Sequence, residues 1–371
     1  MAENDTSNAY FQTEITGRVT PDDRMEEVLF YSRHSTKDAK PRLIRESDIR
    51  TAIALVAVLA LVTTLPRRYW EKCAHFFAAV AYRKQLRKQW AAFSKGIVSV
   101  LGELDDSALK GLFRATHNAN YRRLFLLGAE LTGRRWQPVI EFQGAEELRH
   151  ALQAGNGAII WCNQFTSQNL IGKRALHESG FGCYQVSVAE HGFSNSAFAS
   201  RFLNPLTVHA ENRYLKERVV FRRADTFQVT KRISRILKRN GVVLMTNNIY
   251  SGSSFAETLL GASGFLQAAT TPANFAVRGG AALFAMSTIE VVPFERYRAV
   301  ISPEIKFGTA AAAKSLESLA RALLQMRDHL FAELERSPEQ YMLWGRQNKS
   351  IVSETSERGV RHTGNTGMSK R

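Results

Sequence analysis

The chain has 371 residues, 44% hydrophobic and 23% charged, long enough for one large domain or two smaller ones with a sizeable core, and this excludes disorder throughout. Fifty Lys and Arg against 34 Asp and Glu give a net charge of +16, so the surface attracts anions such as phosphorylated lipid, nucleic acid or an acidic carrier protein. Cys73, Cys162 and Cys183 stand far apart without CxxC or Cys/His spacing, which argues against a disulfide framework and a zinc site and fits a reducing, cytoplasmic setting; no metal is expected.

The first 45 residues are polar and mixed in charge, with no apolar run near Met1, and read as a disordered head without a secretory signal. The stretch "AIALVAVLALVTTL" (52–65) then carries 14 residues without a charge, short of the roughly 20 that cross a bilayer. It is followed by "PRRYWEKCAHFFAAVAYRKQLRKQW" (66–90), which interleaves Trp70, Phe76, Phe77 and Tyr82 with seven Lys or Arg. That composition suits an anionic membrane surface, so 46–90 is expected as a pair of membrane-associating helices. The alternative is a buried core helix followed by a solvated basic one.

Residues 91–135 read as helix with a break and cap at 104–107, since Leu109, Leu112, Phe113 and His117 fall at helical spacing. From about residue 138 short apolar strands alternate with amphipathic helices, the pattern of an α/β fold with a mixed or parallel sheet flanked by helices. The order is a helix at 144–156, strands at 157–162, 182–189 and 218–221, a helix at 226–240 capped by Gly241, and a strand at 241–247. A Ser/Gly loop, the short stretch "ETLLG", a helix at 267–280, two further strands and an amphipathic helix at 312–335 complete the α/β domain of 91–349; the tail 350–371 reads as disordered.

The candidate site is "WCNQFTSQNL" (161–170), because ligands in open α/β sheets bind outside the carboxyl ends of strands. Asn163, Gln164 and Asn169 lie there, and Asn247 and Asn248 follow a second strand, so amides from two strand ends can converge on one ligand. Such amides orient a hydroxyl or a carbonyl oxygen but cannot act as a base near neutral pH.

Taken in order, "GNGAIIWCNQFTSQNL", "GVVLMTNNIYSGSS", "ETLLGASGFLQAATTPANFAVRGGAALF" and "SPEQYMLWGRQNK" resemble the late lipid A biosynthesis (lauroyl/myristoyl) acyltransferases of the lysophospholipid acyltransferase superfamily, over roughly residues 50–349. The resemblance implies a mixed α/β core and a hydrophobic N-terminal helix at the cytoplasmic face of the bacterial inner membrane. It also implies acyl carrier protein or coenzyme A thioester as donor substrate without a further cofactor, and a hydroxyl of a lipid-linked saccharide or lipid A-like acceptor.

The family motif is a His followed five positions later by Asp or Glu, and these positions are Gln164 and Asn169 here. In the family the His deprotonates the acceptor hydroxyl while the carboxylate orients the imidazole; losing a positioned base typically forfeits about 10²–10⁴-fold in rate. The acidic position after the later core strand aligns with Asn247 or Asn248, and the basic "HRR" near the end reads Gly345, Arg346, Gln347. His209 is the first candidate for a substitute base, against a plain surface histidine. Cys162 is a weaker one as a nucleophile, against a small core residue. Arg222 and Arg223 match the family's arginine near the phosphorylated substrate or donor, and with Asn163, Asn247, Asn248 and Arg346 form the expected substrate-binding set. Two readings follow: an acyltransferase with an altered proton-transfer group, or a catalytically silent relative serving as a binding or accessory module in envelope or polysaccharide assembly. Nucleic-acid binding rests on charge alone, with no zinc-finger spacing, RNP-like motif or basic recognition helix, and is not expected.

Overall fold

A computed structural model describes residues 11–35, 42–133, 136–221, 225–247, 254–308, 315–344 and 351–352. The α/β expectation holds: seven strands form one mixed sheet in the order β3-β11-β10-β4-β7-β5-β6. These are β3 (Val139–Gln143), β4 (Ala158–Cys162), β5 (Cys183–Val188), β6 (Glu217–Phe221), β7 (Val242–Thr246), β10 (Ala282–Val292) and β11 (Arg296–Ile301). Only β10 and β11 pair antiparallel, as a hairpin; the other neighbours run parallel.

Both faces of this sheet are covered, which is why β4 reads as an unbroken apolar run. Ile159 and Trp161 join Val243, Met245 and Leu283 under α7 (Thr226–Lys238), α8 (Thr271–Gly279) and α9 (Leu316–Arg336). Ala158, Ile160 and Cys162 face the other way, onto Leu148 of α4 (Ala145–Leu152) and Ala175 and Leu176 of α5 (Lys173–Glu178). The two-residue period of the strand thus splits one sequence run between two cores.

Three helices precede the sheet: α1 (Glu46–Thr64), α2 (Trp70–Leu101) and α3 (Asp106–Leu131). Asp105 caps α3 by accepting from the Ala108 N–H at 2.8 Å, as the break at 104–107 predicts. α1 is long and apolar enough, by length and composition, to cross a membrane. One of its faces, with Leu55, Val58 and Val62, packs on α3 through Gly128. α2 continues past the expected basic segment, and Phe93, Ile97 and Val100 enter the main core.

A second, antiparallel sheet was not anticipated. β1 (Phe11–Val19) and β2 (Val28–Ser35) form a hairpin within the segment read as a disordered head, and pair with β8 (Ser254–Leu260), β9 (Gly264–Ala269) and β12 (Ile351–Val352). β9 also corrects the helix expected over 267–280: residues through Ala269 pair with β8, and the helix starts only at Thr271, with Pro272 in its first turn. The β8–β9 turn requires Gly261, at φ +67°, because a Cβ there would meet the Val100 carbonyl oxygen. Gly241 does not take the left-handed cap of α7; Asn240 does, at φ +57°. Gly241 is needed for close approach instead, as a Cβ would lie 2.5 Å from Ile236 Cγ2.

Candidate active site

β4 and β7 are paired in register through Cys162 and Thr246, so the residues after them, Asn163 and Asn247, emerge side by side. Both are fully buried. The Asn247 amide donates to Asn163 Oδ1 at 2.9 Å, and Asn163 donates on to Ser287 Oγ of β10 at 2.9 Å. Asn163 therefore uses both ends of its amide to tie the ends of β4 and β7 to the middle of β10, whereas Asn247 Oδ1 has no partner among the described residues.

Gln164 and the loop after it are clamped by the segment Pro338–Trp344. Met342 N–H donates to Gln164 O at 2.9 Å, Thr166 N–H to Gln340 O at 2.9 Å, and the Phe165 and Tyr341 rings meet edge to face at 5.6 Å. Gln340 in turn accepts from Glu290 N–H and donates to Glu290 O, both at 2.8 Å, which fixes the clamp to β10. Gln164 Nε2 is buried and makes no hydrogen bond among the described residues, and the same is true of Gln168 Oε1 and Thr288 Oγ1. A buried amide left unpaired costs about 1–3 kcal/mol, so these groups are suited to pair with a bound molecule or water.

No ionisable side chain bonds to Gln164 among the described residues, but an ionised cluster lies beside the same loop. Glu211, on α6 (Asn204–Asn212), is 1% exposed. Its Oε2 accepts from Lys173 Nζ at 2.6 Å, Arg218 Nη2 at 2.7 Å and His191 Nε2 at 2.9 Å. Burial alone would raise Glu211, but Lys173, His191 and Arg218 more than offset it and hold the carboxyl well below the usual carboxylate range. Burial pulls the Lys173 amine below its ordinary value, with Arg218 adding to the shift and Glu211 opposing it.

A pocket of about 50 Å³ lies between the loop after Gln164 and the ionic cluster. Thr166, Asn169 and Leu170 line one side, His191, Phe193 and Glu211 another, and Leu124, Leu126 and Leu127 of α3 give it an apolar wall. Two devices hold His191 there. Asn204 Oδ1 accepts from Phe193 N–H at 2.7 Å while its amide donates to Glu190 O and Ser194 O. Gly192, at φ +144°, leaves room for that asparagine, which a Cβ would strike. Ser194 Oγ also donates to Asp48 Oδ1 at 2.7 Å, tying the loop to the start of α1.

Of the residues singled out in the sequence, Asn163, Gln164 and Asn247 cluster at the strand ends, and half-buried Asn169 turns to the pocket with His191. His209 is exposed on α6 and makes no hydrogen bond with the loop among the described residues. Arg222, Arg223, Asn248 and Arg346 lie outside the described residues. Cys162 is a core residue: burial pushes its thiol up to about 12, so it stays protonated at neutral pH and is no nucleophile. Sequence reasoning missed His191, Glu211, Lys173 and Arg218. The available signal was helical phase: Glu211 follows His209 by two residues, about 200° around the helix, so an outward His209 turns Glu211 inward.

Comparison with known proteins agrees with the geometry. No curated protein matches the chain. A family model described as bacterial lipid A biosynthesis acyltransferase matches residues 40–350, which takes in the three N-terminal helices, the mixed sheet, the strand-end loop and the C-terminal clamp. The chain belongs to the bacterial lipid A biosynthesis acyltransferase family.

Proposed function

We propose that the protein is a membrane-surface acyltransferase that moves a fatty acyl group from an acyl carrier protein or coenzyme A thioester to a hydroxyl of a lipid-linked saccharide or lipid A-like acceptor. Family membership supports an acyltransferase in general; the observation that carries the finer reading is the set of unpaired polar groups, Gln164 Nε2, Gln168 Oε1 and Asn247 Oδ1, buried at two adjoining strand ends. These donors and acceptors suit a carbonyl and a hydroxyl, the two groups joined by acyl transfer.

The helical pair supports a membrane location. Ile53 and Val56 on α1 and Phe76 and Val80 on α2 are 66–69% exposed, and burying each in an interface is worth about 1 kcal/mol or more. Arg67 and Arg68 at the junction of these helices and Lys72, Arg83, Lys84, Arg87 and Lys88 on α2 are exposed as well. Each cation near an anionic surface adds about 1 kcal/mol. Family membership and the apolar helix fit the inner membrane, and the cytoplasmic face is where carrier-bound thioesters are made.

A second reading, a silent homologue that binds acyl chains or glycolipid as an accessory module, is favoured by the absence of an ionisable partner for Gln164 among the described residues. Incubation with radiolabelled dodecanoyl thioester and bacterial membrane glycolipid separates the two. Label appearing in an ester-linked lipid supports the transferase; saturable binding of the thioester with no ester formed supports the silent module.

A further inference from the structure

We infer that His191, oriented by Glu211, is the general base of this protein, replacing in a different part of the fold the proton-transfer pair absent at Gln164 and Asn169. The inference rests on the transferase reading above.

Glu211 is ionised and therefore only accepts hydrogen bonds, so the His191 nitrogen facing it at 2.9 Å, Nε2, carries a hydrogen. In the neutral ring Nδ1 then has a free lone pair. It makes no hydrogen bond among the described residues, and the side chain remains 18% exposed on the wall of the pocket. A carboxylate fixing one imidazole nitrogen while the other keeps its lone pair is the arrangement in which histidine accepts protons.

Lys173 and Arg218, from α5 and β6, place two cations on Glu211, and Arg123 of α3 lines the same pocket. The carboxylate they hold faces the ring and would stabilise an imidazolium formed in passing. Asn169, which lines the same pocket, is a half-buried amide suited to hold the incoming hydroxyl.

The step balances without a further reagent. The acceptor oxygen attacks the thioester carbonyl carbon as its proton passes to His191 Nδ1, forming the C–O bond. The tetrahedral intermediate collapses, the C–S bond breaks, and the imidazolium returns its proton to the leaving thiolate. Ester and thiol leave, and His191 is neutral again. Glu211 acts through His191 and is a positioning residue.

The test uses the full chain in decyl maltoside, with dodecanoyl-coenzyme A as donor and the detergent's sugar hydroxyls as acceptor, reading thiol release and ester formation. His191→Gln is expected to lower kcat about 10²–10⁴-fold with KM within a few-fold. It should also abolish the acid limb of the pH–rate profile. Exposed His150 of α4 serves as the control: His150→Gln should leave rate and profile unchanged. Glu211→Gln should shift the acid limb as well as lower kcat; if it does not fold, His191→Gln alone decides. Wild-type rate and pH profile in His191→Gln would overturn the assignment while leaving the transferase reading standing. No thiol release from the wild type would overturn both.

Discussion

Two neighbouring regions of this molecule solve the problem of buried polarity differently. At the ends of β4 and β7, Asn163, Gln164 and Asn247 are neutral, and two of the three keep an unpaired atom among the described residues. Beside them, Lys173, His191 and Arg218 converge on Glu211 within 2.6–2.9 Å. The difference follows from magnitude. An unpaired buried amide costs about 1–3 kcal/mol, which a fold can carry until a ligand arrives. An unpaired buried ion costs several times more, so charges must be paired in advance. The floor can therefore be a receptor, whereas the ions of the cluster are already paired with one another.

Breaking the ionic side should have the largest effect. Glu211→Leu leaves Lys173 and Arg218 without their carboxylate, and should cost about 3–5 kcal/mol in urea denaturation. A loss below 1 kcal/mol would mean that water already reaches the cluster.

A pH effect away from the site comes next. Burial, with Arg298 and Arg336 nearby, pulls the His329 imidazole of α9 from 6.5 down to about 4. Between those values the unfolded chain binds the proton and the folded one does not, so stability is complete above 6.5 and falls as pH drops toward 4. The loss amounts to about 3 kcal/mol. His329→Gln should flatten that part of the stability curve, and an unchanged slope would assign it to other groups.

The amide floor should give smaller effects. Asn247→Leu strips Asn163 Oδ1 of its donor and should cost about 1–3 kcal/mol. Gln164→Leu should be neutral or stabilising by up to about 1 kcal/mol, because it removes a buried donor that has no partner among the described residues. The same substitution should weaken dodecanoyl-coenzyme A binding, as measured by calorimetry. Stabilisation with unaltered binding would show that the floor does not face the ligand.

Much of this was legible in the sequence where pattern and packing coincide. The strands β4 to β7, β10 and β11 carry apolar runs that the two-sided burial of the main sheet demands, and Asp105 and the strand-end loop followed from local chemistry. The β1–β2 hairpin was not legible, because its strands mix charged and apolar residues and depend on pairing with β8, some 220 residues away. The Ala-rich stretch before Pro272 favoured helix locally, yet its first part pairs with β8. The amide floor could be read from one motif. The ionic cluster could not, since its four members come from α5, a loop, α6 and β6 and meet only when the sheet forms.

Selective ¹⁵N-histidine NMR of the full chain tests most directly whether the proton moves at His191 and not at Gln164. In its neutral form His191 should be the Nε2–H tautomer, and dodecanoyl-coenzyme A should shift its Nδ1 resonance. An Nδ1–H tautomer, or a His191 signal that does not respond to the donor, would contradict it.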